Sequence, residues 1–138
     1  MSRRLAREIA FRALFQIDVG KALPRPALRY ALEGQSFSQE QICFIEELVH
    51  GVCNHRQEID ELIGKHLVNW ELKRISAVDR NLLRLALYEI SHRPDIPPAV
   101  SINEALELAK KYGGTSEAVA FINGLLDRAA GDSHGREE

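Results

Sequence analysis

Four residues near the start of the chain, Arg4, Arg7, Phe11 and Phe15, combine the two chemistries that single-stranded nucleic acid requires. Guanidinium groups pair with phosphates, and aromatic rings stack on bases. Spacing matters as much as type. At about 100° per residue these four fall within roughly an 80° window of one helix. Leu5, Ala6, Ile9, Ala10, Ala13, Leu14 and Ile17 fall on the other side. The pattern predicts a core face and, turned away from it, a face of cations and rings. The same residues also fit two phenylalanines packed on a neighbouring helix beside solvated arginines, and the segment by itself leaves both readings open.

Charge distribution favours the first. Residues 1–30 hold seven basic side chains (Arg3, Arg4, Arg7, Arg12, Lys21, Arg25 and Arg29) against Glu8 and Asp18, a net of +5. The whole chain is at −2, so the remainder sums to −7. A basic end on an acidic body suggests a local anion-binding patch and a separate acidic surface for a protein partner.

Other chemistries find little support. Gly113–Gly114 lacks the Lys-Ser/Thr that completes a phosphate-binding loop, and no serine or cysteine sits in a nucleophile motif. Cys43 and Cys53 lie ten residues apart in one helical stretch, about 15 Å along its axis, which excludes a disulfide between them. They read as reduced, buried thiols of a cytoplasmic protein. His50, Cys53 and His55 lack a second ligand pair at metal-finger spacing, so no metal or other cofactor is expected. No apolar run reaches the ~18–20 residues that span a membrane. The expectation is a binding module and not an enzyme.

The elements that must position the patch are helical throughout. At 138 residues and 45% hydrophobic, the chain fits one domain with a substantial core. Pro24 and Pro26 separate the first helix from a short second one ending near Glu33. Ser38 with Gln41 forms a capping box for a third. Asn54 is placed as the cap of a fourth, with Ile59, Leu62, Ile63 and Leu67 as its stripe. Ser76 with Asp79 opens a fifth, running to about His92, that is apolar around most of its circumference with Arg80, Arg84, Tyr88 and Asn81 as a polar strip. Such a helix belongs at the centre of a bundle. Glu89 projects into its apolar arc and needs a buried cation or backbone donors. Ser101 with Glu104 is placed as the cap of a sixth helix that stops at Gly113–Gly114. A seventh starts near Ser116 and ends before Gly131, leaving 131–138 as a flexible tail.

Three stretches resemble the NusB family of bacterial antitermination factors. They are Arg3-Arg4-x-x-Arg7-Glu8 with Ala13-Leu14-Phe15-Gln16; Val78-Asp79-Arg80 through Leu83-Arg84-Leu85-Ala86-Leu87-Tyr88-Glu89; and Ile102-Asn103-Glu104-Ala105 through Glu107-Leu108-Ala109-Lys110-Lys111-Tyr112-Gly113, closing on Phe121-Ile122-Asn123-Gly124-Leu125-Leu126-Asp127. The resemblance runs from about residue 3 to residue 130. It implies an all-α fold of about seven helices in two small packed bundles, about 1–75 and 76–130. It also implies binding of the BoxA element of nascent ribosomal RNA, jointly with the small-subunit ribosomal protein NusE. That pair would then join other Nus factors on the RNA polymerase elongation complex. By position it makes Arg3, Arg4 and Arg7 phosphate contacts. Phe15 stands where tyrosine is common, which keeps stacking and loses a hydroxyl. Phe121 is a further RNA candidate at the edge of the last helix's apolar stripe, where it also fits plain core. Asp79 falls at an acidic contact to NusE. Between Gly113 and Phe121 the chain departs from the family's acidic-serine pattern, so Ser116 and Glu117 are weaker candidates for the same partner. Some members self-associate through surface that includes the RNA site, so a homodimer is a further expectation. Two other classes stay open from the residues: a helical protein–protein adaptor without RNA binding, and a duplex-DNA reader. The second is disfavoured because no helix-turn-helix partner accompanies the basic first helix.

Overall fold

The computed structural model describes residues 3–67 and 72–135. Seven α-helices run in order: α1 Arg3–Val19, α2 Pro24–Leu32, α3 Gln39–Asn54, α4 Arg56–Lys65, α5 Ala77–His92, α6 Pro98–Tyr112 and α7 Ser116–Gly135, with a 3₁₀ turn at Leu72–Arg74 between α4 and α5. No strand occurs among the described residues, so the fold is all-α.

The chain divides into two compact units at Asn54/His55, not near residue 75. In the first, α1 packs on both α2 and α3. Ile9, Ala10, Ala13 and Leu14 of α1, Leu28 of α2, and Ile45, Leu48, Val49 and Val52 of α3 are buried. Ser38 and Gln41 close the expected capping box: the Gln41 N–H donates to Ser38 Oγ at 3.1 Å, and the Ser38 N–H to Gln41 Oε1 at 3.1 Å. Helix α1 ends at Gly20, whose N–H donates to the Gln16 carbonyl at 2.8 Å. A Cβ there would lie 2.8 Å from that same oxygen, so the turn requires glycine.

In the second unit α5 packs against α4, α6 and α7, and every residue from Asn81 to Ile90 is buried. Of the polar strip, Asn81, Arg84 and Tyr88 are buried and Arg80 is half-buried. Arg84 is 3% exposed and makes a bidentate pair with Asp60 of α4, Nε to Oδ1 at 2.8 Å and Nη2 to Oδ2 at 3.0 Å. This pair explains why α4, expected in the first bundle, belongs to the second unit: a buried guanidinium needs its carboxylate. The Asp79 N–H donates to Ser76 Oγ at 3.1 Å, as the capping reading requires.

Two expected caps are replaced. Asn54 is the last residue of α3, and His55 precedes α4 without a side-chain cap bond. Ser101 lies inside α6, which starts at Pro98, because proline's fixed φ and missing N–H suit a first helical position. Ser101 is instead the buried donor that Glu89 requires: its Oγ donates to Glu89 Oε1 at 2.9 Å, with both residues no more than 2% exposed. Helix α7, expected to end before Gly131, continues to Gly135; within that added turn, Asp132 Oδ2 bonds His66 Nε2 at 2.7 Å. Residues 136–138 of the expected tail lie outside the described residues. Cys43 and Cys53 are free thiols, but Cys43 is exposed and Cys53 half-buried, because both fall outside the arc of α3 that Phe44, Ile45, Leu48, Val49 and Val52 bury, Cys53 at its edge.

Candidate nucleic-acid interface

Helix α1 places the expected cations and rings unevenly. Arg3 and Arg4 are exposed at its first turn, and Phe15 is half-buried. Arg7 is 4% and Phe11 2% exposed, whereas Leu5, expected on the core face, is 40% exposed. Phe11 therefore does not stand on an exposed face. Its ring lies 6.3 Å from that of Phe15 at 57°, a tilted aromatic pair, so Phe11 supports Phe15 and is itself covered. The physical reason is that α1 has two helical neighbours within its own unit, and a single amphipathic stripe underestimates how much of its circumference they cover.

A residue absent from the sequence reading organises the cations. The buried Phe44 of α3 presents its ring to both Arg3, with Cζ 4.6 Å from the centroid, and Arg7, at 5.6 Å. Each guanidinium gains a cation–π contact, and the two are held to one side of the unit. Phe44 lies forty residues from Arg4 in the sequence, so the signal was no more than an aromatic residue in the α3 stripe. Exposed Arg12 pairs with Glu8 at 3.7 Å, and Arg3 and Arg4 are exposed cations at the head of the helix. Such a surface can hold phosphate oxygens, with Phe15 available for stacking.

The other candidates lie in the second unit. Phe121 is half-buried on α7, beside the buried Ile122. Asp79 is half-buried in the first turn of α5. Burial raises its carboxyl above the ordinary value of 3.8, and the Ser76 hydrogen bond opposes that shift. Its Oδ1 approaches the α6–α7 connection closely enough that a Cβ on Gly113 would lie 3.7 Å away. That connection leads to Ser116 and Glu117, both exposed at the start of α7, where Thr115 Oγ1 accepts from the Ala118 N–H at 3.0 Å. Asp79 thus sits close to the segment carrying the other two partner candidates.

An all-α chain with exposed arginines at the head of its first helix and a half-buried phenylalanine further along it is a helical module suited to polyanions. The chain belongs to the NusB family, whose model matches residues 4–131. The transcription antitermination protein NusB of Bacillus velezensis is 49% identical over 132 residues, covering 96% of this chain and 98% of that protein. That of Myxococcus xanthus is 48% identical over 133 residues, covering 94% of each. Among solved structures, NusB of T. maritima superposes with a TM-score of 0.88 at 38% identity, covering 94% of this chain and 91% of that one. A complex of the antitermination factors NusB and NusE with dsRNA matches with a TM-score of 0.86 at 29% identity, covering 93% of this chain and 95% of that one. No helix among the described residues is long and apolar enough to cross a membrane.

Proposed function

We infer that this chain is a transcription antitermination factor that binds RNA together with NusE and acts with other Nus factors on the RNA polymerase elongation complex, in the cytoplasm and without catalysis of its own. The carrying observation is the match of nearly the whole chain to the family and to a NusB that was solved with NusE and RNA. At the level of residues, Arg3 and Arg4 contact phosphates, Phe15 stacks on a base, and Arg7 and Phe11 hold them in place from beneath. Phe121 is a second stacking candidate on the other unit. Asp79, with Ser116 and Glu117, faces NusE; a half-buried carboxylate at a helix start serves capping and partner binding together, since it has two oxygens. The RNA is BoxA-type single strand, because rings beside cations serve unpaired bases better than a duplex. A homodimer through the same patch would compete with RNA.

The test is an anisotropy titration of BoxA-type single strand, a scrambled strand and a duplex, with and without NusE, at about 50 and about 200 mM salt, alongside a mass measurement in solution. The expected result is preferential, salt-sensitive binding of the BoxA strand, tightened by NusE. Retained NusE binding with no RNA affinity at either salt would leave the adaptor reading. Equal affinity for the duplex would overturn the single-strand assignment.

A further inference from the structure

Away from the arginine patch, the second unit brings together two imidazoles and a carboxylate from distant parts of the sequence. His55 stands just before α4, Glu58 lies in its first turn, and His92 is the last residue of α5. Nδ1 of His55 hydrogen-bonds Glu58 Oε1, and Nε2 of His92 lies 3.7 Å from that same oxygen. One ligand atom from each of the three residues lies within 4.8 Å of the others. The two imidazole rings are 4.1 Å apart at 30°, and the ring of buried Tyr88 stacks on His92 at 5.0 Å. Glu58 and His92 also line a cavity of about 460 Å³.

Ordinary packing accounts for part of this. A histidine beside a glutamate at a helix start is a common surface pair. The second imidazole, with Nε2 3.7 Å from the same carboxylate oxygen, is beyond hydrogen-bond range and brings a third ligand atom to the same place. Three ligand atoms around one centre are what a tetrahedral ion requires. With metal–ligand bonds of about 2.0–2.2 Å, ligand atoms stand roughly 3.3 Å apart, so the His92–Glu58 separation needs to close by a few tenths of an ångström, the His55–Glu58 contact needs to open, and the imidazole nitrogens, within 4.8 Å, need to draw together by up to about 1.5 Å. The side chains are 40%, 61% and 31% exposed for His55, Glu58 and His92, which leaves an approach for the ion and room for water as a fourth ligand. Two nitrogens and one oxygen suit a borderline first-row cation and disfavour calcium and magnesium, which take oxygen. His50 and Cys53, which sequence spacing brought under consideration, are not part of the group.

We propose that His55, Glu58 and His92 form a binding site for a divalent transition-metal ion of the zinc class, clamping the start of α4 to the end of α5. The proposal stands apart from the RNA-binding reading. It is tested by calorimetric titration of zinc chloride into the metal-free full chain, with thermal melts in the presence and absence of zinc. The same measurements are made on Glu58→Gln, on His92→Ala, and on a Cys43→Ser/Cys53→Ser control, with circular dichroism to check helix content. Glu58→Gln is conservative and largely exposed, so it keeps the test valid if His92→Ala folds poorly. The expected result is one zinc ion per chain at micromolar affinity and a higher melting temperature with zinc. Each single substitution should weaken binding at least about tenfold, and the thiol-free chain should bind as before. Cobalt(II) should give visible bands without thiolate charge transfer. Three results would overturn the site: no saturable binding below about 1 mM, binding that survives Glu58→Gln, or binding that disappears with the thiols.

Discussion

Charge reversal at the head of α1 separates the roles proposed for its residues. Arg3 and Arg4 are exposed, so Arg3→Glu with Arg4→Glu removes up to two phosphate contacts without opening the core. Arg7 is unsuitable for this purpose: at 4% exposure over the Phe44 ring, a carboxylate there would be buried and the loss of folding would be mistaken for loss of binding. Each single-strand contact contributes about 0.7 to the slope of log K against log salt, so the double variant should flatten that slope by about 1.4. Between about 50 and about 200 mM salt, its affinity should fall roughly sevenfold less than that of the unaltered chain. Phe15→Ala should behave differently. A stacked base is worth about 1–3 kcal/mol, and a half-buried ring belongs in the lower part of that range. The expected loss is about 5- to 30-fold, with the salt slope nearly unchanged. Phe11→Ala is the contrast, since truncating a 2%-exposed phenylalanine should cost about 3–5 kcal/mol of folding stability. Anisotropy titrations at several salt concentrations, with urea melts of each variant, read all of these. If the slope does not change in the arginine variant and Phe15→Ala binds normally, this face of α1 is not the RNA surface.

Three further outcomes follow from the second unit. Asp79→Asn should keep the Ser76 cap and lower NusE affinity; unchanged NusE binding in a pull-down titration would leave capping as the residue's whole role. Because burial holds the folded carboxyl above its ordinary value, Asp79 favours the fold below the unfolded value and loses that contribution as pH rises through the folded one. Melts should therefore show the asparagine variant no less stable near pH 7, with any advantage gone below about pH 4. Ser101→Ala removes the donor to buried Glu89 Oε1 and should cost about 1–3 kcal/mol in urea unfolding; a neutral result would mean that the remaining partners of Glu89 satisfy it. Asp60→Ala strips the bidentate partner from buried Arg84 and should cost on the order of 3 kcal/mol, and a change under 1 kcal/mol would show that α4 is not held by this pair.

What the sequence made legible was local. Ser38–Gln41 and Ser76–Asp79 are bonds between residues three apart, and both form where the capping pattern places them. The helices themselves follow from apolar periodicity and from proline and glycine breaks. What stayed hidden was set by contacts across sequence distance. Ser101 carries the pattern of a cap, but its hydroxyl is used by Glu89 twelve residues earlier, and Pro98 had already started the helix. Arg84 reads only as a member of a polar strip because its partner, Asp60, is 24 residues away. The basic and aromatic residues of the first helix are legible as a candidate interface, but the sequence does not separate its exposed members from its buried ones. Arg3 and Arg7 are alike in type, and it is the packing around α1 that leaves one outside and takes the other in.

Phe44 carries a consequence for binding thermodynamics. Two guanidinium groups on one helix face ordinarily repel each other and sample many rotamers. A shared aromatic surface within 4.6 and 5.6 Å of them restrains both before any polyanion arrives. Part of the side-chain entropy that phosphate binding would otherwise cost is then met during folding. A buried ring would thereby help set the entropy of association with a polyanion at this patch, and its effect would belong in the temperature dependence of the affinity.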